Sequence, residues 1–288
     1  MNRAPLLEAP VTLLPLPRPL MTGEVLDAGY RLFRASLLRT LPYSGVAVLV
    51  LELPAIYAEF FGSRRFTVAH IGGTSLPAYT PVITDGTLVF LGALLLSVLL
   101  FGMITLRLTA VSRGERPRFR HEIGTALRRW PGGTIATLAA FGFPLLLYGA
   151  ARVINPFFAV QILGVLMLPV LWPLALFIVA LPAFWCDGLG PFAAIARATR
   201  VSRRRTWRIV GAILATGCVV GVFYVLTAIV TAVLGSLLAG ADLFLMSMVR
   251  SMLGLVVGAL GVPFVLAMLV VMYEDLKLRD AERRAVRA

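Results

Sequence analysis

Glu52 is the residue whose surroundings most favour chemistry. It lies near the middle of an apolar run, two residues before Pro54. An ionised carboxylate is costly in hydrocarbon, so Glu52 should face a bundle interior or water, or be protonated. Asn155 and Gln161 are the polar residues best placed to accompany it. This candidate intramembrane polar site is either a proton or cation site or a hydrogen bond inside the bundle.

Patterns for metal binding and for catalysis are incomplete in this sequence. His121 and Glu122 begin a zinc-type H-E-x-x-H pattern, but Thr125 stands where the second histidine belongs. There is no phosphate-binding G-x-x-x-x-G-K-[ST] loop and no G-x-S-x-G nucleophile elbow. The two cysteines, Cys186 and Cys218, lie far apart and predict no disulfide framework. We therefore predict no catalytic residue, no metal site and no cofactor.

The composition is that of a membrane protein. The 288 residues are 59% hydrophobic and 14% charged, with a mean hydropathy of +0.89. Soluble domains are about half apolar and about a quarter charged, so the excess apolar surface must face lipid. Runs long enough to cross a bilayer are helices, because backbone polar groups must be satisfied internally there. The predicted fold is an all-α polytopic helical bundle.

Six runs of about 20 apolar residues are predicted to span the bilayer. They cover residues 42–61, 87–106, 132–153, 157–181, 209–234 and 252–273. The predicted organisation is an irregular cytoplasmic leader at 1–21, a six-span membrane domain at 22–280 and a basic cytoplasmic tail at 281–288. The outer segment 62–86 is predicted to form a short hairpin, too small for an active-site domain.

The basic residues give an independent test of this topology. The net charge is +13, and the chain has 27 basic residues. Only four of them, Arg64, Arg65, Arg152 and Arg250, fall on one side of the predicted spans. The positive-inside rule then places both termini in the cytoplasm. Because the basic residues flank the spans, they predict binding of anionic lipid headgroups rather than nucleic acid.

Amphipathic stretches precede spans one, three and five and predict three cytoplasmic interfacial helices. The unit of one interfacial helix and two spans would then occur three times with one orientation, which indicates a possible three-fold internal repeat. Glycines four residues apart, Gly217 with Gly221 and Gly254 with Gly258, predict close packing of spans five and six.

Three segments resemble a known membrane domain. They are TGEVLDAGYRLFR at 22–34, DGLGPFAAIARATR at 187–200 and VMYEDLKLR at 271–279. Together they resemble the membrane domain that accompanies some bacterial glycerophosphoryl diester phosphodiesterases, and a wider group of six-span bacterial membrane proteins. The resemblance implies a helical membrane domain without catalytic residues of its own. The phosphodiesterase activity belongs to a separate barrel domain with metal-binding His and Glu residues, for which this chain has no room.

The same segments predict an ion-pair collar on the cytoplasmic side. Asp275 and Arg279 are spaced to pair along one helix, and Asp187 is a candidate N-cap for the third interfacial helix. The collar comprises Arg31, Asp187, Arg197, Arg200, Arg204, Asp275 and Arg279.

Two functions agree with these patterns. One is a non-catalytic scaffold, regulatory or assembly protein with lipid or membrane-protein partners. The alternative is a small transporter, channel or lipid-handling protein that uses Glu52; an enzyme at the bilayer surface is disfavoured.

Overall fold

The computed structural model shows a helical protein with one short β-hairpin. It describes residues 14–61, 68–71, 74–77, 85–154, 171, 173–237 and 243–287. Within these residues the helices are α1 (Thr22–Phe61), α2 (Asp85–Ser112), α3 (Phe119–Ile154), α4 (Ala180–Cys186), α5 (Pro191–Ser202), α6 (Thr206–Leu237) and α7 (Leu243–Arg287). The strands β1 (Val68–Ile71) and β2 (Thr74–Pro77) pair antiparallel with Val68 opposite Pro77, in the segment where the sequence predicts a hairpin.

Four of these helices contain stretches that are long and apolar enough to cross a bilayer. The stretches are Thr22–Pro54 in α1, Leu88–Ser112 in α2, Thr206–Leu234 in α6 and Ser251–Val286 in α7. They overlap predicted spans one, two, five and six, although the stretch in α1 begins 20 residues before predicted span one and the stretch in α7 ends 13 residues after predicted span six. Predicted span three lies within α3, which is not among the four, and most of span four lies outside the described residues. The fold is therefore that of a helical membrane protein.

The predicted interfacial helices differ in how they join the spans. α1 runs without a break from the first amphipathic stretch into the first span, although it contains Pro42, and α3 is likewise continuous. Pro42 leaves the carbonyl of Leu38 without its helical donor. The Arg107 guanidinium supports this turn by donating to the next carbonyl, that of Arg39, at 2.8 Å. The third stretch forms the separate helix α5, which ends in a turn at 203–205 before α6.

The tightest packing lies at one end of the bundle. The largest fully buried side chains there include Leu32 of α1, Ile104 and Leu108 of α2, Ile209 of α6, and Tyr273 and Leu276 of α7. Towards the other end the same helices expose large apolar side chains, among them Leu51, Phe90, Val225 and Val256. Apolar surface of this extent marks contact with lipid or with another membrane protein.

Two glycines allow α2 and α3 to close on the indole of Trp185, which anchors α4. Trp185 is buried and meets Phe184 edge-on, with ring centroids 4.9 Å apart. A β-carbon at either Gly102 or Gly133 would lie 2.5 Å from an atom of the Trp185 ring, well inside van der Waals contact. The lack of a side chain at these two positions therefore sets the spacing of the three helices.

The predicted glycine-mediated packing of spans five and six is wrong. A β-carbon added at Gly217, Gly221 or Gly254 would meet nothing within 4 Å. At Gly258 it would lie 2.8 Å from a methyl carbon of Val48, which belongs to α1. Small residues permit close approach only where a neighbouring helix lies over them. At Gly258 that neighbour is α1, whereas at Gly261 of the same helix an added β-carbon would lie 3.7 Å from Val220 of α6.

Candidate functional site: an ionic cluster at the helix ends

Charged side chains meet at the tightly packed end of the bundle. We call this group the ionic cluster, and it consists of Asp187, Arg208, Tyr273, Glu274, Asp275, Lys277 and Arg279. α7 contributes most of the cluster because its apolar run gives way to polar residues after Tyr273. α6 contributes Arg208 from its first turn, and Asp187 is the C-cap residue of α4.

Asp275 is the centre of the ionic cluster, and its side chain is 0% exposed. Its carboxylate accepts hydrogen bonds from the Arg279 Nε at 3.0 Å and from the backbone N–H of Leu20 at 2.7 Å. The Arg208 Nη2 lies 3.2 Å away. Removal of a carboxylate from water is expensive, and these cations and the backbone donor compensate for it. The predicted collar paired Asp275 with Arg279 but included neither Arg208 nor Leu20.

The segment that precedes α1 is tied to the ionic cluster. The carbonyl of Leu20 accepts hydrogen bonds from both Arg208 and Arg279. Earlier in this segment, the N–H of Leu14 donates to the carbonyl of Ser112 at 3.1 Å, and the Leu14 side chain is buried. Residues 14–20 are therefore irregular but packed on the bundle, while residues 1–13 of the predicted leader lie outside the described residues.

Asp187 links α4 to α7. Its carboxylate accepts a hydrogen bond from the Tyr273 hydroxyl at 2.5 Å and one from the Lys277 Nζ at 3.0 Å. The predicted role of Asp187 as the N-cap of the third interfacial helix is wrong, because Gly190 is the N-cap residue of α5 and no side chain caps it. Gly188 has a φ of +68°, a left-handed conformation that favours glycine and turns the chain away from Asp187.

Cys186 lies beside Asp187, and its side chain is partly buried. The Thr109 hydroxyl lies 3.2 Å from its sulfur, in hydrogen-bonding range. Burial in this packed environment raises the pKa of the Cys186 thiol to about 12. A thiol attacks as its thiolate, so at neutral pH this cysteine behaves as a small apolar side chain.

A second buried ion pair joins α2 to α3 and was missed by the sequence analysis. Arg107 and Glu122 lie 2.8 Å apart, and their side chains are 13% and 5% exposed. The guanidinium of Arg107 also lies over the ring of Tyr43 at 4.4 Å from its centroid, in addition to its bond to the Arg39 carbonyl. One arginine thus connects α1, α2 and α3. The sequence signal was Glu122, the one acid in the amphipathic stretch at the start of α3.

Several predicted site residues lie away from the ionic cluster. Arg31 pairs with Asp27 at 2.8 Å on the exposed surface of α1. Arg197 and Arg200 are nearer, since they line a hollow together with Asp187 at the edge of the ionic cluster. Among the described residues the Arg197 Nε is buried without a hydrogen-bond partner, and Arg200 and Arg204 line a cleft beside α5. The Glu52 side chain is exposed on α1, and none of the described helices encloses it. Its predicted companions Asn155 and Gln161 lie outside the described residues.

Comparison with known proteins adds no relative. No protein-family profile, no curated protein and no solved structure matches this chain. Among the residues that the structure describes, no group of three His, Cys, Asp or Glu side chains is arranged to hold a metal ion. The arrangement of charges is suited to joining helix ends and to presenting surplus cations at the surface.

Proposed function

We propose that this protein is a non-catalytic bacterial inner-membrane protein with a scaffolding, regulatory or assembly role. The observation that carries the proposal is the use of the acids in the packed end of the bundle. Asp275, Asp187 and Glu122 each accept hydrogen bonds from cations or backbone on other segments. These contacts hold helix ends together, and a carboxylate so engaged is poorly placed for acid–base chemistry.

The proposed topology has six spans, with both termini in the cytoplasm. The four described spans and the concentration of arginines at one set of helix ends support it. A reporter of compartment near Gly73 and a second one after Ala288 test it. We expect the first on the outer side and the second in the cytoplasm; both in one compartment would contradict the topology.

We further propose a three-fold arrangement of one amphipathic stretch followed by two spans. The lengths of α1 and α3, 40 and 36 residues, support it, since each exceeds the roughly 20 residues that a bilayer requires. The amphipathic α5, followed by α6, supports the third unit.

The partners of the protein are the decisive test of its role. We propose anionic lipids as partners because arginines are concentrated at one set of helix ends. We propose a membrane-protein partner because α6 exposes apolar side chains along much of its length, including Val222, Phe223 and Ile229. The experiment is purification from the native membrane in mild detergent, followed by identification of the lipids and proteins that accompany it. A discrete protein partner supports a scaffold. A stoichiometric small solute would contradict it and favour the transport alternative.

Replacement of Glu52 separates the same alternatives by a second route. Because Glu52 is exposed on α1, we expect Glu52→Gln to leave expression, unfolding and partner recovery unchanged. A matched control is Asp27→Asn, which removes another exposed acid from the same helix. If Glu52→Gln abolishes the cellular phenotype of the protein while it folds normally, and Asp27→Asn does not, the transport alternative is favoured.

A further inference from the structure

A cleft lined by arginines lies between α5, the turn that follows it and the polar end of α7. Its volume is about 660 Å³, within the range of small-molecule binding sites. The charged lining residues are Arg200, Arg203, Arg204, Asp280, Arg283 and Arg284. Five guanidinium groups and one carboxylate give the cleft a formal charge of +4.

The positive charge of the cleft is largely uncompensated. Arg284 pairs with Asp280 at 2.7 Å. In the described part of the chain, Arg200, Arg203, Arg204 and Arg283 have no carboxylate within 4.0 Å. The ionic cluster differs, because there Asp275 neutralises its arginines.

Partial burial lowers the pKa of the neighbouring Arg205, and the charges of Arg283 and Arg279 lower it further. Like charges gathered at short range repel one another unless a counter-ion lies between them. The fold therefore maintains an arrangement that an anion in the cleft would stabilise.

The position of the cleft indicates the membrane surface. The candidate span of α6 begins at Thr206, directly after the turn at 203–205, and the helix is apolar from Ile209 onward. Trp207 is 76% exposed, and tryptophan is typical of the level of the lipid headgroups. α7 has 45 residues, about 68 Å at 1.5 Å per residue, which is more than twice the thickness of the hydrocarbon core. Its polar end, with Arg283, therefore reaches beyond the bilayer.

We propose that this cleft binds a phosphate-bearing anion through Arg200, Arg203, Arg204 and Arg283. Guanidinium groups present paired donors that match the oxygen atoms of a phosphate, and they remain charged at all physiological pH values. Either an anionic phospholipid headgroup or a soluble phosphate ester supplies this chemistry. The proposal rests on the proposed function for the placement of the cleft at the membrane surface, but its ligand chemistry follows from the cleft itself.

Binding to purified full-length protein tests the proposal. The protein is placed in nanodiscs of phosphatidylcholine, and inorganic diphosphate is titrated as the soluble probe. In a second arm, the protein is placed in nanodiscs of mixed phosphatidylcholine and cardiolipin, and the cardiolipin retained by the protein after extraction in mild detergent is measured. Saturable diphosphate binding assigns the site to soluble phosphate esters. Retention of cardiolipin without diphosphate binding assigns it to lipid headgroups.

Matched variants distinguish binding in the cleft from nonspecific attraction of anions to a basic protein. The cleft variant is Arg200→Gln/Arg204→Gln/Arg283→Gln. The control variant, Arg34→Gln/Arg116→Gln/Arg120→Gln, removes the same charge from exposed arginines elsewhere. Because each cleft arginine would donate charge-assisted hydrogen bonds to the phosphate oxygens, we expect the cleft variant to bind at least tenfold more weakly and the control less than threefold.

Equal reductions of affinity in the two variants, or no binding to either probe by the unaltered protein, would overturn the proposal. If the triple cleft variant does not fold, Arg283→Gln alone is compared with Arg120→Gln. The topology experiment and these binding measurements can refute their proposals separately, because phosphate binding to purified protein does not depend on which compartment each terminus occupies.

Discussion

Substitution of Asp275 by alanine tests the packed end of the bundle most directly. The change leaves Arg208 and Arg279, whose side chains are only 23% and 21% exposed, without their carboxylate. It also removes the acceptor of the Leu20 N–H. Breaking a buried ion pair costs about 3–5 kcal/mol, because it leaves uncompensated charge in a low-dielectric environment. We expect Asp275→Ala to lower the free energy of unfolding by about that amount.

Two further variants divide this effect into its parts. Asp275→Asn keeps an oxygen that can accept from Leu20 but removes the charge, so we expect a smaller destabilisation of about 1.5–3 kcal/mol. Asp27→Ala is the control, because Asp27 and Arg31 form an exposed pair on α1. Exposed pairs spaced four residues apart contribute about 0.3–0.5 kcal/mol.

The assay is unfolding by sodium dodecyl sulfate in mixed micelles, followed by the fluorescence of the four tryptophans. A double-mutant cycle with Arg279→Ala isolates the pair, and contacting residues of this kind couple by roughly 0.5–3 kcal/mol. An effect of Asp275→Ala no larger than that of Asp27→Ala would refute the reasoning. A coupling energy near zero would show that Asp275 and Arg279 are not in contact.

Three other substitutions or treatments follow from the geometry. Arg107→Lys keeps the charge but removes the paired donors and the planar contact with the aromatic ring, so it should destabilise the protein by about 1–3 kcal/mol in the same unfolding assay. Burial raises the pKa of the Cys186 thiol, so at pH 8 a maleimide should spare Cys186 in the folded protein and modify it once the protein is unfolded. Gly258→Ala should destabilise by about 1–3 kcal/mol through overpacking, whereas Gly254→Ala should be neutral; equal effects would contradict the packing of α7 on α1.

Local patterns in the sequence are sufficient to predict much of the fold. The apolar runs that became α1, α2, α6 and α7 exceed the length that a bilayer requires, so their nature follows from composition alone. The contact of Asp275 with Arg279 is likewise local, because residues four apart lie on one face of a helix.

Contacts between distant segments could not be predicted in this way. Leu20 and Asp275 are 255 residues apart, and their hydrogen bond depends on how α1 and α7 pack. The same holds for Glu52, since an apolar neighbourhood in sequence predicts depth in the bilayer but not the side of the helix. It also holds for Gly258, because a small residue permits close approach without specifying which helix approaches.

The ratio of acidic to basic residues explains where paired and unpaired charges lie in the bundle. The chain has 14 acids for 27 basic residues, so the acids can neutralise only about half of the cations. Asp275 and Glu122 pair with arginines close to the core, where an unpaired charge would be the most destabilising. The uncompensated arginines are consequently displaced outward, and those at the α5–α6 turn and the end of α7 gather in one cleft. The stability of the helix ends and the basic character of the surface are therefore two results of the same shortage of acids.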